Sequence, residues 1–316
     1  MLVQILILIA GLALIVVGSD LLVDGASSVA KRSGISDFVI GLTIVGMGTS
    51  APEMVVSFLG AIAGNPEISL GNVIGSNILN TLLITGVAAM ILPIGITADN
   101  RRQDIPFNIA IVVLLAILGM NAAITGLGSN TLSRIDGALM LLLFAIYMYR
   151  SFRTGRCEDE GPVEARGTGI SVLMIMGGLA GLIFGGNVFV NSATRIAEAL
   201  GISDKFIALT VLASGTSLPE LATCVVAALK KNPSMALGNV IGSNIFNILL
   251  IIGGSAVICP LSFASINYVD LGVLLLSALL LALAAWTGKN SKVDRFDASL
   301  FLACIAGYYV YLFMNI

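Results

Sequence analysis

The sequence predicts an all-α polytopic membrane protein of ten transmembrane helices, built as two inverted five-helix repeats. Three observations support this. Of 316 residues, 57% are hydrophobic and only 11% charged, whereas soluble domains carry about 25% charged residues; mean hydropathy is +1.02. Ten apolar runs are long enough to cross a bilayer. A shift of 167 positions aligns Gly18–Pro93 with Gly185–Pro260 without a gap.

In chain order, the apolar runs centre on 2–18, 38–62, 68–92, 106–122 and 134–150, then on 169–191, 205–229, 235–259, 269–287 and 297–314. This divides the chain into a first repeat (1–150), a short cytoplasmic linker of mixed charge (151–168) and a second repeat (169–316). Five spans is an odd number, so the second half must enter the membrane upside down relative to the first, the arrangement that places a site at the midplane between halves. The motif regions are 34–92 and 201–259. Leu70–Ile78 recurs identically at Leu237–Ile245, and twelve of twenty positions in Gly34–Glu53 match their counterparts.

Basic residues set the orientation. With the N-terminus outside, thirteen of the sixteen Lys and Arg fall in cytoplasmic loops; only Arg134, Arg195 and Lys205 lie outside. Both termini are therefore expected outside a cytoplasmic (inner or plasma) membrane. Met1-Leu2-Val3-Gln4 lacks the positive start of a cleaved signal, so the first helix is expected to stay. Ser36/Asp37 and Ser203/Asp204 read as helix N-caps. Asp20 and Asp24, matched by Asn187 and Asn191, read as polar residues at the membrane edge, with a role on an access path as the alternative.

Composition also excludes. The chain has no His and a net charge of −2, which argues against nucleic-acid partners and imidazole sites. Cys157, Cys224, Cys259 and Cys304 show no CxxC spacing and read as small buried hydrophobes. No nucleotide fingerprint appears, because the glycines of Leu70–Ser76 lie in an apolar segment without Gly-Lys-Ser/Thr. An enzyme is not expected: a hydrolase would need a His or a Ser–Lys pair at membrane depth. No cofactor is implied, and the bilayer is the expected surrounding, with a monomer sufficient.

The chemistry concentrates in Gly48-Thr49-Ser50-Ala51-Pro52-Glu53 and its near-copy Gly215-Thr216-Ser217-Leu218-Pro219-Glu220. A charge in hydrocarbon costs roughly 2.5–3.5 kcal/mol on insertion scales, so an intramembrane carboxylate marks function. Each proline removes a helix bond and frees a carbonyl, at Gly48 and at Gly215; such breaks survive at membrane depth where they line a cavity. Thr49, Ser50 and Glu53 share one helical face. Ser76 and Asn80 do so one span later, and Ser243 and Asn247 repeat the pattern. These Ser/Asn faces fit ion ligands and structural glue equally. Glycines at 71, 75, 238 and 242 have the spacing that lets membrane helices approach closely. The convergent set is then Glu53, Glu220, Thr49, Thr216, Ser50, Ser217, Ser76, Ser243, Asn80 and Asn247, all hard oxygen donors suited to a hard cation. Helices 2, 3, 7 and 8 would surround this midplane ion site. Two facing carboxylates repel when no cation is present, so an empty site is disfavoured and exchange follows.

Gly-Thr-Ser-x-Pro-Glu and Gly-Asn-Val-Ile-Gly-Ser-Asn-Ile-x-Asn together resemble the two α-repeats of the calcium/cation antiporter superfamily, and prokaryotic sodium/calcium exchangers in particular. The resemblance covers essentially the whole chain. It implies alternating access and exchange of Ca²⁺ for several Na⁺ at overlapping sites. Glu53 and Glu220 would be the principal ligands, aided by Thr49 and Thr216. Ser50, Ser217, Ser76, Ser243 and Asn80 match supporting positions, and the carbonyls of Gly46 and Ala213 match outer sodium positions. The counterpart of Asn247 can be Asp in archaeal members and in potassium-dependent relatives; Asn in both copies here lowers the expectation of potassium dependence. Spans one and six, rich in glycine, would slide over the core. A proton/calcium antiporter on the same fold is the nearest alternative, and a cation channel a more distant one.

Overall fold

A computed structural model describes residues 2–120, 130–154, 166–200, 215–264, 266–287 and 291–314. Within them the chain is predominantly helical. The helices are α1 (Leu2–Ser33), α2 (Asp37–Thr49), α3 (Ala51–Ile62), α4 (Glu67–Ile91), α5 (Asn100–Gly119), α6 (Arg134–Arg153), α7 (Thr168–Ala199), α8 (Leu218–Leu229), α9 (Pro233–Ile258), α10 (Tyr268–Thr287) and α11 (Arg295–Met314). Among the described residues, eight are long and apolar enough to cross a membrane. The α2–α3 pair makes a ninth span bent by 48°, and α8 is a shorter apolar helix. Residues 201–214, where the seventh span is expected to begin, lie outside the described residues, as do Ala213 and the Ser203/Asp204 cap.

Burial separates centre from periphery. In α4 and α9, 72% and 78% of the apolar window is buried, against 22% in α1 and 17% in α11. The two motif helices are therefore the core, and α1 turns Leu2, Leu6, Ile9, Leu12 and Val16 outward as a lipid-facing surface would require. First-repeat features recur 167 positions on: α3 and α8 begin at Ala51 and Leu218, and α4 and α9 each widen into a π-helix, at Leu79–Ile84 and Phe246–Ile252. Such widened turns cluster at functional sites.

Short ladders tie the halves together. β1 (Ile94–Gly95) pairs antiparallel with β4 (Lys292–Val293), and β2 (Thr131–Leu132) with β3 (Leu261–Ser262). Each ladder joins a strand of one half to a strand of the other, so neither half closes its loops alone.

The first span differs from the sequence expectation in length. Helix α1 runs to Ser33 rather than ending near 18, because Gly11, Gly18 and Gly25 seat it against α7 along that whole length. A Cβ at Gly18 would lie 2.8 Å from Gly178 O, and one at Gly178 2.7 Å from Gly18 O. Asp20 and Asp24 consequently lie within this helix, where both pair with Lys230 Nζ, Asp20 Oδ1 at 2.7 Å. Ser36 caps α2 by accepting from Val39 N at 3.3 Å.

Candidate functional site

The break after α2 falls at Ser50, and Pro52 occupies the first turn of α3, where its missing N–H costs nothing. Glu53 therefore sits in the first turn of a helix, and Glu220 sits likewise in α8 behind Pro219. Helix starts present unpaired N–H groups and the positive end of the dipole, which favours a carboxylate. Both glutamates are fully buried, at 0% and 1% exposed.

Their hydrogen bonds cross between the halves. Ser50 Oγ donates to Glu220 Oε1 at 2.9 Å, and Ser217 Oγ lies 3.3 Å from Glu53 Oε1. Ser76 Oγ reaches the same Glu53 oxygen at 3.4 Å and stands 3.3 Å from Ser217 Oγ. Thr216 lies beside Glu53, and Thr49 and Ser243 beside Glu220. Ser243 Oγ also donates to Gly46 O at 3.4 Å.

What the carboxylates lack is as informative. Glu53 Oε2 and Glu220 Oε2 are buried without a hydrogen-bond partner, as are Thr216 Oγ1, both polar atoms of Asn80, and Asn247 Oδ1. A buried polar atom left unpaired costs about 1–3 kcal/mol, more when charged, so these five orphan oxygens, two of them on the carboxylates, form a set that a cation would satisfy. Among the described residues no group of three or more Asp, Glu or Cys side chains is arranged to hold a metal ion. Charge in the pocket thus comes from Glu53 and Glu220, with neutral oxygens around them.

The structure brings together Glu53, Glu220, Thr49, Thr216, Ser50, Ser217, Ser76, Ser243 and Gly46. Asn80 and Asn247 are buried in the adjoining π-helical turns of α4 and α9. Asn247 Nδ2 donates to Asn77 Oδ1 at 2.9 Å, Asn77 Nδ2 to Asn244 O at 3.3 Å, and Asn244 Nδ2 to Thr81 Oγ1 at 2.8 Å. Part of the Asn/Ser face is thus glue between repeats. Two asparagines escaped the sequence reading: Asn72 Nδ2 donates to Glu53 O at 3.2 Å, and Asn239 Nδ2 to Glu220 O at 3.4 Å. Positions 72, 76 and 80 are four apart, so the face already visible in sequence extended one turn further back.

The close approach expected at four glycines occurs at two. A Cβ at Gly238 would lie 2.1 Å from Phe38 O and one at Gly242 2.2 Å from Leu42 O, whereas among the described residues one at Gly71 or Gly75 would meet nothing within 4 Å; the stretch that the 167-residue shift places opposite those two (205–209) lies outside the described residues. A cavity of about 790 Å³ lies between α3, α4, α7, α11 and the start of α8, and Gly71, Asn72, Gly75, Asn187, Thr216 and Tyr308 help to line it. It reaches Pro52 and Pro219, the prolines that precede the two glutamates.

Comparison with known proteins accords with this geometry. A family model described as sodium/calcium exchanger protein matches residues 3–153 and 170–316. The sodium/calcium exchanger MaX1 of Methanosarcina acetivorans is 34% identical over 98% of this chain and 99% of its own length. The inner membrane protein YrbG of Escherichia coli K12 is 33% identical over 89% of this chain and 88% of its own. Among solved structures, the sodium-calcium exchanger NCX_Mj soaked with zero Na⁺ and Ca²⁺ superposes with a TM-score of 0.85 at 35% identity, covering 98% of this chain and 99% of that one. The fold is that of a polytopic helical membrane transporter, and the chain belongs to the sodium/calcium exchanger protein family.

Proposed function

We propose that this protein is a secondary antiporter that exchanges Ca²⁺ for Na⁺ by alternating access. The observation that carries this reading is the pair of buried glutamates, each with one oxygen unpaired, each following a proline that lines a cavity, and ringed by hydroxyl and amide oxygens. Ca²⁺ takes six to eight oxygen ligands and prefers carboxylates; Glu53 and Glu220 supply charge, while Thr49, Thr216, Ser50, Ser217, Ser76, Ser243, Asn80 and Asn247 supply neutral oxygens. The carbonyls of Gly46 and Ala213 serve Na⁺ at the margins of the same pocket. Na⁺ and Ca²⁺ compete for the two carboxylates, and mass action across the membrane sets the direction.

In this reading residues 1–150 and 169–316 are inverted halves joined by a short cytoplasmic linker. The protein is a multi-pass component of the cytoplasmic membrane with both termini outside. It is a carrier without covalent chemistry or resident cofactor. The relatives named as exchangers support the choice of ions, since they match over nearly the whole chain.

The test is ⁴⁵Ca²⁺ uptake into proteoliposomes. Uptake driven by an outward Na⁺ gradient and insensitive to a protonophore is the expected result. Uptake that follows a pH gradient alone would replace Na⁺ by protons, and flux that needs no counter-ion would indicate a channel.

A further inference from the structure

The start of α5 and the end of α6 meet at one edge of the bundle, far from the glutamates in the chain. Tyr147 donates there to Asp104 Oδ1 at 2.8 Å and stacks on Phe107 with ring centres 4.4 Å apart. The second half makes the same clasp between α10 and α11, where Tyr308 donates to Asp270 Oδ1 at 2.8 Å. With the two clasps aligned, Arg102 (two residues before Asp104) falls on Tyr268, and Arg150 (three after Tyr147) falls on Tyr311. The clasp therefore needs no arginine, and these two arginines belong to the first half alone.

Beside the first clasp lies a cavity of about 380 Å³, within the range of about 300–1,000 Å³ typical of small-molecule sites. Arg102 and Arg150, both exposed, line its end at the bundle edge. Phe107, Ala110, Leu143 and Ile146 continue it along the two helices, about 10 Å further toward the hydrocarbon. Among the described residues Asp104 is the one acid that lines the cavity, and its oxygens accept from Tyr147 and from Asn100 Nδ2 at 3.1 Å. Asp99 adds a second acid nearby. Arg150 donates to Gln103 Oε1 at 2.8 Å. Arg101 donates to Ser291 Oγ at 3.0 Å, and Arg153 lies over the Tyr149 ring.

We infer that this cavity binds one anionic phospholipid, its phosphate between Arg102 and Arg150 and its glycerol and upper acyl chain over Phe107, Ala110, Leu143 and Ile146. The planar guanidinium fork matches phosphate oxygens, and basic pockets between membrane helices take acidic headgroups. Arginines that only set orientation need a helix end; they do not need a cavity running from them into the apolar layer. With both termini outside, this edge faces the cytoplasm, the leaflet whose surface is negative. The chain leaves α6 into residues 155–165, which lie outside the described residues and include Glu158, Asp159 and Glu160. That acidic linker is the rival occupant.

The test is native mass spectrometry of the full chain in detergent, titrated with phosphatidylglycerol or with phosphatidylethanolamine of the same acyl chains. The parent should retain one phosphatidylglycerol about tenfold more tightly than the zwitterionic lipid, and the double variant Arg102→Gln/Arg150→Gln should erase that preference. Arg153→Gln, outside the cavity, should keep it. Ala110→Phe fills the apolar part while leaving both arginines, and should weaken phosphatidylglycerol binding about as much. This variant carries the test if the double one does not fold. Glycerol 3-phosphate in solution should not compete. Equal retention of the two lipids by the parent, or a preference that survives either the arginine variant or Ala110→Phe, would overturn the site. Competition by glycerol 3-phosphate would make the ligand a soluble phosphate and overturn the lipid. A preference that emerges only in Glu158→Gln/Asp159→Asn/Glu160→Gln would give the arginines to the linker, and the inference would fall.

Discussion

Ser50 Oγ donates to Glu220 Oε1 at 2.9 Å, across 170 residues of sequence. Ser217 returns the contact to Glu53 at 3.3 Å. Each carboxylate is therefore oriented by a hydroxyl from the other half, and the pocket exists only when both halves are folded together. A duplicated sequence would permit two independent half-sites; this exchange of serines produces one shared site.

The exchange of serines predicts an unequal pair of variants. A hydrogen bond to a charged group contributes about 1.5–3 kcal/mol, so Ser50→Ala should weaken apparent Ca²⁺ affinity by about ten- to a hundredfold. Ser217→Ala should cost less, because its bond is longer. The KM for Ca²⁺ in Na⁺-loaded vesicles measures both.

Neutralising a carboxylate should separate transport from folding. Glu53→Gln or Glu220→Gln keeps the volume and removes a charge that is buried at a cost. Ca²⁺ transport should fall by about a hundredfold or more, while the thermal midpoint in detergent stays level or rises. Transport at the parental rate in either variant would remove that glutamate from the site.

Glycine substitutions should differ between the halves. At Gly242 a Cβ would lie 2.2 Å from Leu42 O, and no backbone carbonyl can yield that far cheaply. Overpacking of this kind costs about 1–3 kcal/mol or more, so Gly242→Ala should lower the yield of monodisperse protein. Gly75→Ala, where a Cβ would meet nothing within 4 Å among the described residues, should fold normally. Size-exclusion profiles of the two variants settle the comparison.

Lys230 binds α1 to the loop after α8 through Asp20 and Asp24, and Arg166 adds a weaker contact to Asp24 at 3.7 Å. All four side chains are partly exposed, where such pairs contribute about 0.2–1 kcal/mol. Lys230→Ala should therefore change thermal stability little. Lys230→Glu places a third carboxylate against two and should slow turnover without altering the KM for Ca²⁺. Adding Asp24→Lys to that variant should restore part of the rate.

Much of this was legible in the sequence, for identifiable reasons. Proline beside an intramembrane glutamate announces both the break at Ser50 and the buried charge at Glu53, since each is rare in hydrocarbon unless built for. The 167-residue repeat turned each observation into two. Three features were not legible. Which serine meets which glutamate depends on how the halves interlock, and identical motifs cannot show that. The length of α1 depends on glycine packing against α7 rather than on hydrophobicity, so polar Asp20 and Asp24 masked its continuation. The difference between Gly71 and Gly238 among the described residues depends on what packs against each, and a near-symmetric sequence carries no mark of that.

The most direct measurement is equilibrium Ca²⁺ binding to the purified protein at increasing Na⁺, by titration calorimetry, for the parent and for Glu53→Gln and Glu220→Gln. A single pocket shared by both ions predicts that the apparent Kd for Ca²⁺ rises more than proportionally with Na⁺ concentration, and that both variants lose high-affinity binding. Ca²⁺ binding that ignores Na⁺, or that persists in both variants, would contradict it.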